Sequence, residues 1–295
     1  MQLQNRYAIV TGGSRGLGIA VAEEFLKQGA SVLVCARTLA DLEAARERLQ
    51  SIASTQDPSV SSKVLTQVAD ISVPDDVERL VQFAIESFGR IDVVVNNAAV
   101  QGPIGPIESS DWSEWIRTVQ IDLFGTALMC KSVIPHMKAQ GQGKIINLSG
   151  GGATAPRAQF SAYAVSKAAI VRLTETLAVE CQEFGIDINA IAPGVLNTQM
   201  LTETLLAGPQ VLGAAAYESA LKQRENGGTP FEKGVALCVF LASSMSDGIT
   251  GKLLSAVWDP WETLPDHLHE LRDTDIYTLR RIIPKDRGAQ WGDRD

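Results

Sequence analysis

A chain of 295 residues, 45% apolar and 20% charged, is long enough to bury one large core, and α/β chains of this length commonly fold as a single domain. Its formal net charge of −8 and pI near 5.0, without any basic stripe, exclude a protein built to grip a phosphate backbone. No apolar run approaches the length of a membrane span and the N-terminus enters a strand almost at once, so a soluble, cytoplasmic protein is expected.

In chain order, short β-branched runs alternate with amphipathic stretches, the pattern of βαβ units that build a parallel sheet with helices on both faces. Strands are expected at Tyr7–Thr11, Ser31–Ala36, 63–69, 91–97, 143–149, 187–192 and 252–257, with helices at 17–28, 39–52, 75–88, 112–139 and 162–184 among them. The expected fold is a single-domain, Rossmann-type, doubly wound sheet of seven parallel strands. The polar stretch at 51–62 reads as a solvated loop. Cys35, Cys130, Cys181 and Cys238 stand far apart in apolar contexts, without metal-ligand or disulfide spacing, and read as buried thiols. No metal site is expected.

The first strand runs into TGGSRGLG, Thr11 to Gly18, followed by a helix. Gly12 allows the tight turn, Gly16 lets the backbone approach a pyrophosphate, and Gly18 lets helix and strand pack closely; Ser14, Arg15 and Leu17 complete the turn. This is the layout of a dinucleotide cradle. An NAD site usually places an Asp or Glu about 20 residues further on for the ribose 2′-hydroxyl. Here the second strand ends Cys35, Ala36, Arg37, Thr38, and Arg37 with Arg15 offers two guanidiniums for a 2′-phosphate. NADP(H) is therefore favoured and NAD(H) stays open, the bland alternative being two solvated charges. Farther along, Tyr163 and Lys167 lie four residues apart, on one face of a helix, as a candidate proton-transfer pair. An ordinary tyrosine phenol, with pKa near 10, needs a neighbouring cation before it can serve as a base.

TGGSRGLG, NNAA (96–99), YAVSK (163–167) and IAPGVLNTQM (191–200), in this order and at strand ends, resemble the short-chain dehydrogenase/reductase family over residues 3–257. The resemblance implies hydride transfer between a nicotinamide cofactor and a small-molecule alcohol or carbonyl, with Tyr163 as acid/base and Lys167 as its activator and ribose ligand. It further implies that Asp70 and Ile71 meet the adenine, that Asn96, Asn97 and Ala98 line the adenosine pocket, and that 193–198, with Pro193, Gly194, Val195 and Thr198, hold the nicotinamide amide. Asp70 as a turn cap and Thr198 as a helix cap are the structural alternatives. Family members commonly pair long helices across two-fold axes, which implies a homodimer or homotetramer.

Three departures stand out. Asp122, in QIDLFG, occupies the place of the family's active-site Asn, and a carboxylate accepts but does not donate unless protonated. The family's carbonyl-orienting Ser lies about thirteen residues before the Tyr, and here that place falls on Gly150, inside SGGG (149–152). Ser149 becomes a candidate for the shifted hydroxyl; the favoured reading is that the glycines accommodate a substrate that is bulky or brings its own polar group, so that Gly150→Ser would crowd the pocket. The third departure is an extension at 258–295, with Trp258, Trp261 and Trp291, expected to dock on the body or on a neighbouring subunit. Its His267 and His269 lack further ligand spacing. The apolar segment 201–228 occupies the family's substrate-lid position. Two functions follow: an oxidoreductase with a modified third and fourth catalytic member, or a weakened relative that binds dinucleotide as a structural or regulatory ligand.

Overall fold

The β-branched runs form seven strands in the computed structural model, which describes residues 1–55 and 62–291. These are β1 (Tyr7–Thr11), β2 (Ser31–Ala36), β3 (Val64–Val68), β4 (Val93–Asn96), β5 (Gly143–Leu148), β6 (Ile186–Ala192) and β7 (Leu253–Ser255). All pair in parallel, in the order β3-β2-β1-β4-β5-β6-β7. Successive residues serve opposite faces. Val10, Val32, Val34 and Val95 pack with Phe25, Leu237 and Phe240, whereas Ile9, Leu33 and Val94 pack with Leu80, Met129 and Val133. Burial on both faces is why these strands read as continuous apolar runs.

The first layer of helices contains α1 (Gly16–Lys27) and α2 (Leu39–Ser54); the opposite layer contains α3 (Pro74–Phe88). After them the chain departs from expectation. The single helix anticipated over 112–139 is α4 (Trp112–Val119) and α5 (Gly125–Gln140), joined by a π-helical turn at Gln120–Phe124. Asp111 caps α4 by accepting from the Glu114 amide at 3.0 Å. The wide turn carries Asp122, and such turns gather at functional sites. The 162–184 helix is α6 (Ser161–Cys181) ending in a 3₁₀ turn at Gln182–Phe184. Of the polar loop expected at 51–62, Ser51 to Ser54 instead finish α2, and 56–61 lie outside the described residues.

The lid position holds α7 (Gln199–Leu212) and α8 (Ala214–Glu225), which share a small core of Leu201, Leu205 and Ala220, and α7 bends at Gly208, where φ is 76°. Next come α9 (Phe231–Ala242) and, in the extension, α10 (Leu268–Asp273). Leu264 and Leu271 of the extension are buried in the main core, and Trp261 lies 5.2 Å from the Phe240 ring. The Leu253 amide donates to the Tyr277 carbonyl at 2.8 Å, so the extension covers the free edge of β7. His267 and His269 pair with Glu270 and Asp273. All four cysteines are free and buried. No described helix is long and apolar enough to cross a membrane.

Strand order reverses between β1 and β4, and in open parallel sheets the crevice beyond the carboxyl ends at such a switch is where ligands bind.

Candidate active site

The glycine turn between β1 and α1 is dictated by packing. Gly12 has φ 61°, and a Cβ there would lie 2.8 Å from the Ala98 Cα. A Cβ on Gly18 would lie 2.4 Å from the Gly12 carbonyl oxygen and 2.5 Å from Asn97 Nδ2. Leu17 is buried beside it. Thr11 locks the turn to the neighbouring loop: its Oγ1 accepts from the amides of Asn97 (3.0 Å) and Ala98 (3.1 Å), while Asn97 Nδ2 donates to the Thr11 and Gly12 carbonyls. This threonine had no role assigned from sequence, although its signal was available, because a hydroxyl at the last strand residue before a glycine turn is placed to meet loose amides.

The first turn of α1 has no side-chain cap, so its amides and its positive dipole end remain for an anion. Gly16, with φ 57°, borders a gap: a Cβ there would meet only Thr198 Cγ2, at 3.9 Å. A side chain at Gly16 would fill that cradle. Ser14 is half-buried and Arg15 exposed in the turn, and Arg37 and Thr38 are exposed after β2, whose Cys35 carbonyl accepts from the Gly13 amide at 3.2 Å. Among the described residues neither Arg15 nor Arg37 has a carboxylate partner. The donor set fits a dinucleotide: a bare helix end, a glycine floor, and two cations, Arg15 in the turn and Arg37 just after β2.

The other expected cofactor residues divide. Asp70 accepts from the Ser72 amide and hydroxyl through Oδ1, the turn-capping alternative, and Ile71 is buried where a Cβ on Gly125 would meet it at 2.6 Å. Asn96 is buried and donates to Asn147 at 2.8 Å, so it braces β4 against β5. Gly194 (φ 97°) and Pro193 shape the 193–198 segment, which the Thr229 hydroxyl and amide hold through Val195. Thr198 precedes α7 without side-chain capping.

Tyr163 and Lys167 come from one face of α6, with the Lys167 ammonium 5.3 Å from the Tyr163 ring centroid. Lys167 is 3% exposed, and its Nζ donates to the Leu148 carbonyl at 2.8 Å. Asp122 is fully buried below them; its Oδ1 accepts from the Val100 amide at 2.8 Å, and Oδ2 has no partner among the described residues. Burial pushes the Asp122 carboxyl from an ordinary 3.8 up to about 6, against the opposing pull of the Lys167 ammonium and the Val100 amide. The Ser149 hydroxyl turns away from this group and donates to the Lys167 carbonyl at 3.1 Å.

Gly150 does face the phenol. A Cβ at Gly150 would lie 3.7 Å from the Tyr163 hydroxyl, an ordinary contact, and one at Gly151 would meet nothing within 4 Å. The backbone at Gly150 is extended, with φ 170° and ψ 175°, so no glycine-only conformation is needed there. The vacancy is chemical, not conformational. A second residue unassigned from sequence is Arg157, whose guanidinium stacks 3.8 Å over the Phe160 ring and 5.8 Å from the Tyr163 centroid.

Comparison with known proteins identifies the family. A family model of the short chain dehydrogenases matches residues 6–207. The 2-(R)-hydroxypropyl-CoM dehydrogenase of Xanthobacter autotrophicus is 35% identical over 209 residues, covering 70% of this chain and 80% of that protein. A 3beta-hydroxysteroid dehydrogenase 1 of Eggerthella lenta is 35% identical over 253 residues, covering 85% and 92%. The crystal structure of a levodione reductase superposes with a TM-score of 0.78 at 31% identity, over 86% of this chain and 96% of that one.

Proposed function

This chain belongs to the short-chain dehydrogenase/reductase family and is a nicotinamide-dependent oxidoreductase, and from that premise we propose that it prefers NADP(H) and interconverts a small-molecule alcohol and carbonyl with Tyr163 as acid/base. The observation that carries the reading is the placement of the Lys167 ammonium beside the Tyr163 ring, at the carboxyl end of β5 and facing an open, side-chain-free strip. When bound, the nicotinamide would supply or accept the hydride. In reduction the Tyr163 hydroxyl gives its proton to the carbonyl oxygen, and in oxidation the phenolate, stabilised by Lys167, takes the proton of the alcohol.

The remaining residues bind and position. Gly12, Ser14, Gly16, Leu17 and Gly18 would hold the pyrophosphate, Asn97 and Ala98 set the turn that carries it, Asp70 and Ile71 border the adenine side, and Pro193 to Thr198 border the nicotinamide side. Arg15 and Arg37 would hold the 2′-phosphate. Ser149 acts through Lys167, fixing the carbonyl of its turn, and is a positioning residue. Asp122 anchors the Val100 loop under the site. The protein acts on a small molecule and assembles as a homodimer or homotetramer, which its mass by light scattering reads directly.

The test pairs two variants. Tyr163→Phe should lower turnover about 10²–10⁴-fold while cofactor titration stays near that of the parent protein. Arg37→Asp should reverse a preference for NADPH over NADH in the same titration. Full activity in Tyr163→Phe would place the acid/base elsewhere, and tighter NADH binding by the parent protein would end the cofactor assignment.

A further inference from the structure

The segment between the glycine strip and α6 is held in one shape. Gln159 has φ 71°, a strained value for a side chain that is not glycine, and its carbonyl accepts from the Gly105 amide at 2.9 Å. Phe160, next to it, is 4% exposed. On that fixed ring lies the Arg157 guanidinium, and the Tyr163 ring is its second aromatic neighbour. Stacking restricts a side chain that otherwise carries much rotamer freedom, so less entropy is lost when it binds a ligand. Among the described residues no carboxylate pairs with it. Asp122, the acid below the site, is fully buried and committed to the Val100 amide.

Arg157 is exposed at the edge of the Tyr163 ring, while the strip beside the Tyr163 hydroxyl offers no hydroxyl at Gly150, and the Ser149 hydroxyl is committed to the Lys167 carbonyl. A substrate oxygen facing Tyr163 thus lacks a second neutral donor to orient it, and orientation has to come from another part of the substrate. Resting on the oxidoreductase reading above, we propose that Arg157 anchors the substrate, and that the substrate is a hydroxy or oxo compound bearing an oxyacid group, a carboxylate or its sulfonate equivalent, a few bonds from the reacting carbon. The planar guanidinium matches such a group with two parallel hydrogen bonds, and the open strip over Gly150 and Gly151 takes the chain between the acid and the carbonyl.

The experiment compares reduction of straight-chain 2-, 3-, 4- and 5-oxo carboxylic acids with that of their methyl esters, and adds the oxo sulfonates of equal length, with NADPH and with NADH. Parent protein, Arg157→Gln and Arg157→Lys are measured side by side. In the parent, one acid or sulfonate should exceed its neutral counterpart in kcat/KM by about tenfold or more, chiefly through KM. That ratio should collapse to about one in Arg157→Gln and return in part in Arg157→Lys. Preference for carboxylate over sulfonate, or the reverse, tells which oxyacid the anchor was built for and supports it either way. Esters reduced as well as acids by the parent, an unchanged ratio in Arg157→Gln, or no reduction of any acid or sulfonate overturns the anchor. Failure of the underlying reading shows separately: Tyr163→Phe would then reduce the esters as fast as the parent does.

Discussion

Asp122 has two roles: it accepts the Val100 amide, and it is a buried acid near a buried lysine. Its carboxyl is raised from 3.8 to about 6, so the neutral form persists to a higher pH in the folded protein than in the unfolded chain. The stability that this protonation contributes is present in full below about pH 4 and is lost as pH rises through about 6, at a cost of about 3 kcal/mol. Asp122→Asn keeps an acceptor for Val100 and removes the charge. Thermal melts should show the variant matching the parent at low pH and exceeding it above neutrality by up to about 3 kcal/mol; an equal gain at both ends would mean that the charge is not the cause. At Gly150 the structure narrows the crowding expected from sequence. The protein itself accepts a side chain there, so Gly150→Ser should melt within about 0.5 kcal/mol of the parent. Its effect should fall on the substrate, raising the kcat/KM ratio of small over bulky carbonyls, and a large loss of stability would refute the ordinary contact with Tyr163.

At the scale of elements, the β1–α1 turn shows two reasons for glycine. Gly18 is a contact problem, since any Cβ meets the Gly12 carbonyl at 2.4 Å, and Gly18→Ala should cost about 1–3 kcal/mol or more in denaturant melts and weaken cofactor binding. A neutral Gly18→Ala would show that the helix can back away from the strand. That turn was legible from the residues because glycine spacing states a backbone requirement. The strands were legible as well, since β1 and β2 are buried on both faces and their apolar runs have sharp ends at Thr11 and Ala36. The break within 112–139 was not legible: a π turn adds one residue to a helix without a proline or a change of apolar pattern to announce it, and Gly125, which opens α5 after it, packs against Ile71, far off in sequence. Arg157 was hidden for a related reason. It belongs to no motif, and only folding sets it over Phe160 and near Tyr163. Asp70 was readable as a motif position, yet in the structure it satisfies a local turn, a use that the motif position alone does not reveal.

In the whole molecule, the extension past β7 is where the chain adds something to the sheet. An edge strand presents unpaired amides and carbonyls, and β7 is three residues long, with its outer Leu253 amide taken by Tyr277. Two further ties bind the extension to the body: the Leu279 amide donates to Glu175 on α6 at 2.6 Å, and Lys252 Nζ donates to the Ile276 carbonyl at 2.9 Å. Its apolar share includes Leu264 and Leu271, each 4% exposed, with Trp261 against Phe240 and with Leu268 and Tyr277 packed on the same core. Burying two leucines contributes about 3–6 kcal/mol, a large part of the net stability of a domain, so the extension is integral to the fold and not an appendage. Leu271→Ala should therefore cost about 2–5 kcal/mol in chemical denaturation. Removing 258–295 should do more, exposing the Phe240 ring and the β7 edge together, and should yield a protein that melts lower and self-associates. Light scattering and melting of the truncated chain test this directly. A truncated protein with the parent's melting temperature and mass would show that the extension only rests on the sheet, and that β7 closes its edge without it.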